Sequence, residues 1–172
     1  ENKDPLTVIS GFEKLCNRYP DLRLYMVYGE EKLLSEIKSR MERSQVLQQN
    51  LILVGKVPNS DLDIYYSSAD IFVLGSHYEG SGFALCEALA CGCIPLVTDI
   101  PSFRMMTDQG KLGSLWNPGD QESFLTSAEQ VLNCEKQKQS DAAVLFFEQE
   151  LSYQAIAKKQ IAMFDSVLKE KN

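Results

Sequence analysis

Short apolar runs of four to seven residues alternate along the chain with longer stretches whose apolar residues recur at helical spacing. The first periodic stretch opens at Asp4-Pro5, an N-cap acid before a first-turn proline. It carries Val8, Phe12, Leu15 and Cys16, and it stops at Tyr19-Pro20. Leu22 to Tyr28 reads as a buried strand ended by Gly29, and residues 30–48 return to a helical pattern with Leu33, Leu34, Ile37 and Met41 on one face. Further strands are expected at Leu51 to Val54, Ile71 to Leu74, Ile94 to Val97 and Gly113 to Trp116. Helices fall between them: a short one from Asn59-Ser60-Asp61 through Tyr65-Tyr66, then 82–91, 101–106, and one after Asp120. Such alternation predicts an α/β fold, a parallel sheet with helices on both faces. From about residue 140 to 172 only helical pattern continues, with a stripe of Tyr153, Ala157, Ile161, Phe164 and Leu168. One domain over residues 1–172 with a helical C-terminal extension is expected.

Composition narrows the classes. With 44% hydrophobic and 24% charged residues, a chain of 172 residues has enough apolar surface for a core without disulfides or a metal staple. Its net charge of −7 argues against a nucleic-acid partner, though a few local donors can still hold one small anion. The five cysteines are an odd count that fits free thiols in a reducing compartment, and Cys91-Gly92-Cys93 with the single His77 falls short of a metal ligand set. No run spans a bilayer and no signal-peptide pattern opens the chain, so a cytoplasmic location is expected.

In open parallel sheets, ligands bind beyond the carboxyl ends of the strands. That rule selects Gly29-Glu30, Gly55-Lys56-Val57-Pro58, Gly75 to Gly82, and Thr98 to Ser102. Gly80-Ser81-Gly82 stands where a helix begins, which suits either a phosphate on free backbone N–H groups or a plain tight turn. Glu87 is the only charged residue in the sixteen from Phe83 to Thr98. A carboxylate in that setting needs a partner: a cation such as Arg104, or the two hydroxyls of a ligand diol. Glu79 lies eight residues earlier, beside His77, so the two carboxylates are spaced to hold two ends of one ligand.

Two glutamates with seven residues between them, the loop EGSG and the segment EALACGCIPLVT resemble the donor-binding half of retaining glycosyltransferases of family four. YGEEKLLSEIKSRM, NLILVGKVPNSDLDIYYSSADIFVLGS, WNPGDQESF and LSYQAIAKKQ match the same domain in order. The resemblance implies the second, Rossmann-like domain of a GT-B fold, with that domain's first strand upstream of Glu1 and a separate N-terminal domain forming the acceptor site. It implies that Glu79 contacts donor sugar hydroxyls and that Glu87 binds the ribose diol. It further implies backbone contacts from Gly80, Ser81, Gly82 and Phe83 to the sugar or diphosphate, and base contacts from Gly55, Lys56 and Val57. Lys3 matches the lysine that neutralises the leaving diphosphate, and His77 belongs with the donor pocket. The implied partners are a nucleotide sugar as donor substrate and a carbohydrate or lipid-linked acceptor, the latter at the inner face of a membrane. No metal or other cofactor is expected.

This chain departs from the family in having Gly80-Ser81-Gly82 where Gly-Phe-Gly is usual, which changes the room for the sugar. The family's phosphate-binding arginine is not within the sequence. Competing readings are a non-catalytic nucleotide-sugar module and half of a sugar-nucleotide epimerase. A dinucleotide oxidoreductase would need a differently spaced glycine loop, and a receiver domain would need acids at strand ends. With the first strand upstream, strands 22–28 and 71–74 are expected either to close on each other or to drive a homodimer through an edge or the C-terminal stripe.

Overall fold

A computed structural model describes residues 2–169. Its elements run α1 (Pro5–Arg18), β1 (Leu24–Val27), α2 (Leu34–Glu42), α3 (Gln45–Asn50), β2 (Leu51–Gly55), α4 (Leu62–Ser68) and β3 (Ile71–Leu74). There follow α5 (Phe83–Ala90), β4 (Ile94–Thr98), α6 (Pro101–Met106), β5 (Ser114–Trp116), α7 (Gln121–Leu132), α8 (Lys136–Phe146) and α9 (Tyr153–Lys169). All strand pairs are parallel, and they form two pieces: β1 beside β2, and β3, β4, β5 in that order.

Strand β4 is buried at all five positions because helices cover both of its faces. Ile94 and Leu96 point to a cluster built from Val8 and Leu15 of α1 and Phe124, Ala128 and Val131 of α7. Val97 points the other way, to Leu85 and Leu89 of α5 and Ala143 of α8. The period of two in the strand thus sorts its side chains between two cores. A third cluster joins Ile9, Phe12 and Cys16 of α1 to Ile37, Leu47 and Leu51, beneath the β1–β2 piece.

Two expectations are corrected. The helical pattern over 30–48 is two helices, because Ser44 adopts an extended conformation and its hydroxyl accepts the Leu47 N–H at 3.3 Å. Gln48 then closes the end of α2 by donating to the Met41 and Glu42 carbonyls. Strands β1 and β3 do not close on each other: β1 pairs only with β2, and β3 only with β4. Helix α1 packs against both pieces, with Val8 and Leu15 toward β4 and Ile9, Phe12 and Cys16 toward β2. Within the single chain the C-terminal stripe is exposed, as an uncovered face for a partner would be, with Tyr153 at 86% and Ile161, Phe164 and Leu168 above 60%. Ser152 is extended and caps α9 through Ala155, so the helix leaves the body after a π-turn at Phe147–Leu151.

Helices α1 and α7 pack closely enough that a Cβ on Gly11 would lie 2.2 Å from the Phe124 ring. Gly11→Ala should lower unfolding stability by about 1–3 kcal/mol through overpacking, despite a helix-propensity gain of about 1 kcal/mol. Chemical denaturation checks this, and an unchanged or higher midpoint would contradict the tight contact.

Candidate functional site

The residues ahead of α1 are stitched to the loop after β3. The His77 N–H donates to the Asn2 carbonyl at 2.8 Å. Tyr78 N–H donates to Asn2 Oδ1 at 3.0 Å, and Asn2 Nδ2 donates back to the Tyr78 carbonyl at 3.1 Å. Gly75 permits this approach, since a Cβ there would come within 3.0 Å of the Lys3 and Asp4 carbonyl oxygens.

The stitch brings Lys3 to Glu79, and the two form an ion pair. Glu79 Oε1 also accepts from the Ser76 hydroxyl at 2.9 Å, and the buried Ser76 is held in turn by Thr98, whose hydroxyl donates to its carbonyl. The Glu79 side chain is 14% exposed and that of Lys3 58%. The carboxylate is therefore fixed from below while the ammonium reaches it from the solvent side. His77 Nε2 lies 3.4 Å from Asp4 Oδ2, so the histidine faces the same corner.

Helix α5 starts beside this cluster. Gly82 takes a left-handed conformation with φ of 60°, and it is packed so closely that a Cβ would lie 2.7 Å from Met106 Sδ. Its carbonyl accepts from Leu85 and Cys86, but no side chain caps the helix. The N–H groups of Phe83 and Ala84 accordingly have no acceptor within the helix. Gly80, Ser81 and Phe83 are all exposed.

Glu87 differs from the sequence expectation. It does not sit among the apolar side chains of α5; it lies on the exposed side, while Leu85, Ala88 and Leu89 supply the buried face. Arg104 is not its partner, because that guanidinium makes two bonds to Asp99, including Nη2 to Oδ2 at 2.6 Å, and holds the Asp99 carboxyl below its usual range. The partner is Tyr66 of α4, whose hydroxyl donates to Glu87 Oε2 at 3.2 Å. Burial first, and the Glu87 carboxylate second, push the Tyr66 phenol up, so it stays a neutral donor.

The contacts that join Lys3, His77 and Glu79 run through the N-terminal segment and the loop after β3. Gly55, Lys56 and Val57 stand apart from them, at the carboxyl end of β2. Gly55 has φ of 83° and its carbonyl accepts the Tyr28 N–H at 3.0 Å, which leaves Lys56 exposed. Ser76 and Thr98 lie in loops selected from the sequence without a role of their own, whereas Asn2 and Tyr66, which act across 76 and 21 residues, were not among the expected site residues. No group of three or more His, Cys, Asp and Glu among the described residues is placed to hold a metal ion.

With this geometry in view, comparison with known proteins is informative. The family model for glycosyl transferases group 1 matches residues 1–143. Mannosylfructose-phosphate synthase of Agrobacterium fabrum is 32% identical over 130 residues, 72% of this chain and 28% of that protein. A GDP-mannose:cellobiosyl-diphosphopolyprenol alpha-mannosyltransferase of Xanthomonas oryzae is 28% identical over 117 residues, 67% of this chain and 30% of that protein. Among solved structures, the pneumococcal O-GlcNAc transferase GtfA, in complex with UDP and GlcNAc, superposes with a TM-score of 0.75 at 16% identity. That superposition covers 96% of this chain and 33% of the other, and the shared architecture is the Rossmann-like one of GT-B glycosyltransferases. The chain spans less than a third of the length of these two curated relatives. A family match that takes in both glutamates, the glycine loop and Lys3 leads to one conclusion: the chain belongs to the group 1 glycosyl transferases.

Proposed function

We propose that this chain is the donor-binding domain of a transferase that takes a nucleoside-diphosphate sugar and passes the glycosyl group to an acceptor with retention. The observation that carries the reading is the Lys3–Glu79–Ser76 cluster beside the uncapped start of α5, with Glu87 on the same helix. Glu87 lies five residues past Gly82, about 7–8 Å along the helix axis, a span comparable to that between the ribose and the sugar-proximal phosphate of a nucleotide sugar.

In this reading Glu79 accepts from sugar hydroxyls and Glu87 from both ribose hydroxyls. The Gly82 and Phe83 N–H groups meet diphosphate oxygens, where the helix dipole favours negative charge. Gly80 and Ser81 border the sugar, and the small Ser81 leaves room above it. His77 closes the donor pocket on the Asp4 side. Gly55, Lys56 and Val57 meet the base through main-chain groups. Lys3 leaves Glu79 to take up the charge that develops as the anomeric C–O bond breaks and the nucleoside diphosphate departs. The acceptor hydroxyl, carbohydrate or lipid-linked, forms the new bond on the face the diphosphate leaves. An N-terminal domain supplies the acceptor side of the cleft. Lysine and backbone donors meet the diphosphate charge without a metal ion, and the donor places the reaction in the cytoplasm. Two relatives named for mannosyl products, one of them for GDP-mannose, support this class of donor.

Calorimetry with UDP, GDP and ADP should show binding of at least one nucleotide, unaffected by a chelator. Glu87→Gln should weaken that binding by about 1–2 kcal/mol, because one oxygen must then serve two hydroxyls. Wild-type affinity in the Gln variant would refute the ribose role.

Glu79→Ala should act differently. It should abolish most of the preference for the nucleotide sugar over the plain nucleotide while leaving nucleotide affinity nearly intact. Equal losses for the two ligands would remove Glu79 from the sugar site.

A further inference from the structure

Among the described residues, the Tyr66–Glu87 contact is the hydrogen bond that joins α4 to the proposed donor site, and the donor-binding roles above do not use it. We infer that Tyr66 is a positioning residue that orients Glu87 for the two ribose hydroxyls of a nucleoside diphosphate; this inference rests on the donor-binding reading above.

The hydroxyl is placed by three independent contacts. The Tyr66 ring meets Phe72 of β3 edge-on, with centroids 5.9 Å apart and planes at 65°. The Tyr66 carbonyl accepts the Cys93 thiol at 3.0 Å and the Ala69 N–H at 3.3 Å. Cys93 is buried, and burial pushes its thiol up to about 11, so it remains a donor. The phenol is therefore tied to β3 and to the residue just before β4, the most buried strand of the sheet.

Glu87, by contrast, lies on an exposed face and would otherwise sample several rotamers. Holding one of its oxygens removes part of the ordering that ligand binding must otherwise impose. A phenol suits this task better than a cation. It has one proton to give, and giving it to Oε2 leaves Oε1 entirely free and a second lone pair on Oε2, enough for both diol hydroxyls. A Lys or Arg at this place would draw on both oxygens and compete with the diol.

The test is a cycle read by calorimetry with UDP and GDP and with their 2′-deoxy forms, on wild type, Tyr66→Phe, Glu87→Gln and the double variant. Tyr66→Phe keeps the ring against Phe72 and should weaken ribonucleotide binding about 3–10-fold, the order of the net contribution of one ordinary hydrogen bond. With the 2′-deoxy nucleotides its effect should shrink to within about twofold, and the double variant should bind within about twofold of Glu87→Gln alone, as expected of coupled groups. Phe72→Leu, which loosens the ring and keeps the hydroxyl, should give a smaller loss with the same dependence on the 2′-hydroxyl. Equal losses for ribo and 2′-deoxy ligands, additive losses in the double variant, or no loss in Tyr66→Phe would each overturn the positioning role. Wild-type affinity in Glu87→Gln would instead overturn the ribose reading itself, so the two failures are told apart.

Discussion

Helix α1 is the constraint on which the remainder of the structure depends. Its buried residues serve two clusters: Val8 and Leu15 face β4 and α7, while Ile9, Phe12 and Cys16 face α2, α3 and β2. Among the described residues no strand of one sheet piece pairs with the other, and α1 packs against both pieces. Burial of each large apolar side chain contributes about 1.5–3 kcal/mol. The sum over these residues rivals the entire net stability of an ordinary domain, roughly 5–15 kcal/mol. No surface ion pair, such as Lys14–Glu122 or Arg18–Glu129 along the same helix, approaches that scale.

The start of α1 also decides the geometry of the site. Asp4 holds a left-handed conformation with φ of 38°, which is unfavourable for a residue with a side chain. Two features offset the strain: its carboxylate accepts the Thr7 N–H at 3.2 Å, and Pro5 is preset for the first helical turn. The turn this produces lets the Lys3 and Asp4 carbonyls lie on Gly75. Asn2 can then pair with the backbone of His77 and Tyr78. A fold constraint and a site constraint are thus the same residue.

What the sequence made legible follows from how local each feature is. Ile71–Leu74, Ile94–Thr98 and Pro101–Met106 were readable, the second as Ile94 to Val97, because each has a Gly or Pro at one boundary: Gly75 after the first, Gly92 ahead of the second, Pro101 opening the third. The Gly80-Ser81-Gly82 turn was readable for the same reason, whereas Glu87 stood out as the single charge in an apolar stretch and the roles of the glutamate pair came from the family resemblance. The burial of Glu87 was misjudged because an apolar helix does not reveal which of its faces meets a neighbour, and that choice is made by α8 and β4. The break at Ser44 was hidden by a periodicity that continues across it, although a serine able to cap the next helix was in plain view. Tyr66, Ser76 and Asn2 act across 21, 3 and 76 residues, and only the fold brings two of these three pairs together.

A net charge of −7 sets a problem for any site that receives a dianion, and the Lys3–Glu79 pair bears on it. With no ligand the two charges cancel, so the pocket does not attract stray anions strongly. The ammonium is more than half exposed, and an ion pair in that setting is worth about 0–1 kcal/mol. Releasing it therefore costs little against a charge-assisted bond to a diphosphate, which contributes about 1.5–3 kcal/mol. Ser76 and, through it, Thr98 hold the Glu79 carboxylate in place independently of Lys3. In the donor-binding reading one event then does two things: the lysine moves to the phosphate, and the carboxylate it leaves becomes free for sugar hydroxyls. In that reading a plain nucleotide would use only the first half of the exchange, and a nucleotide sugar both.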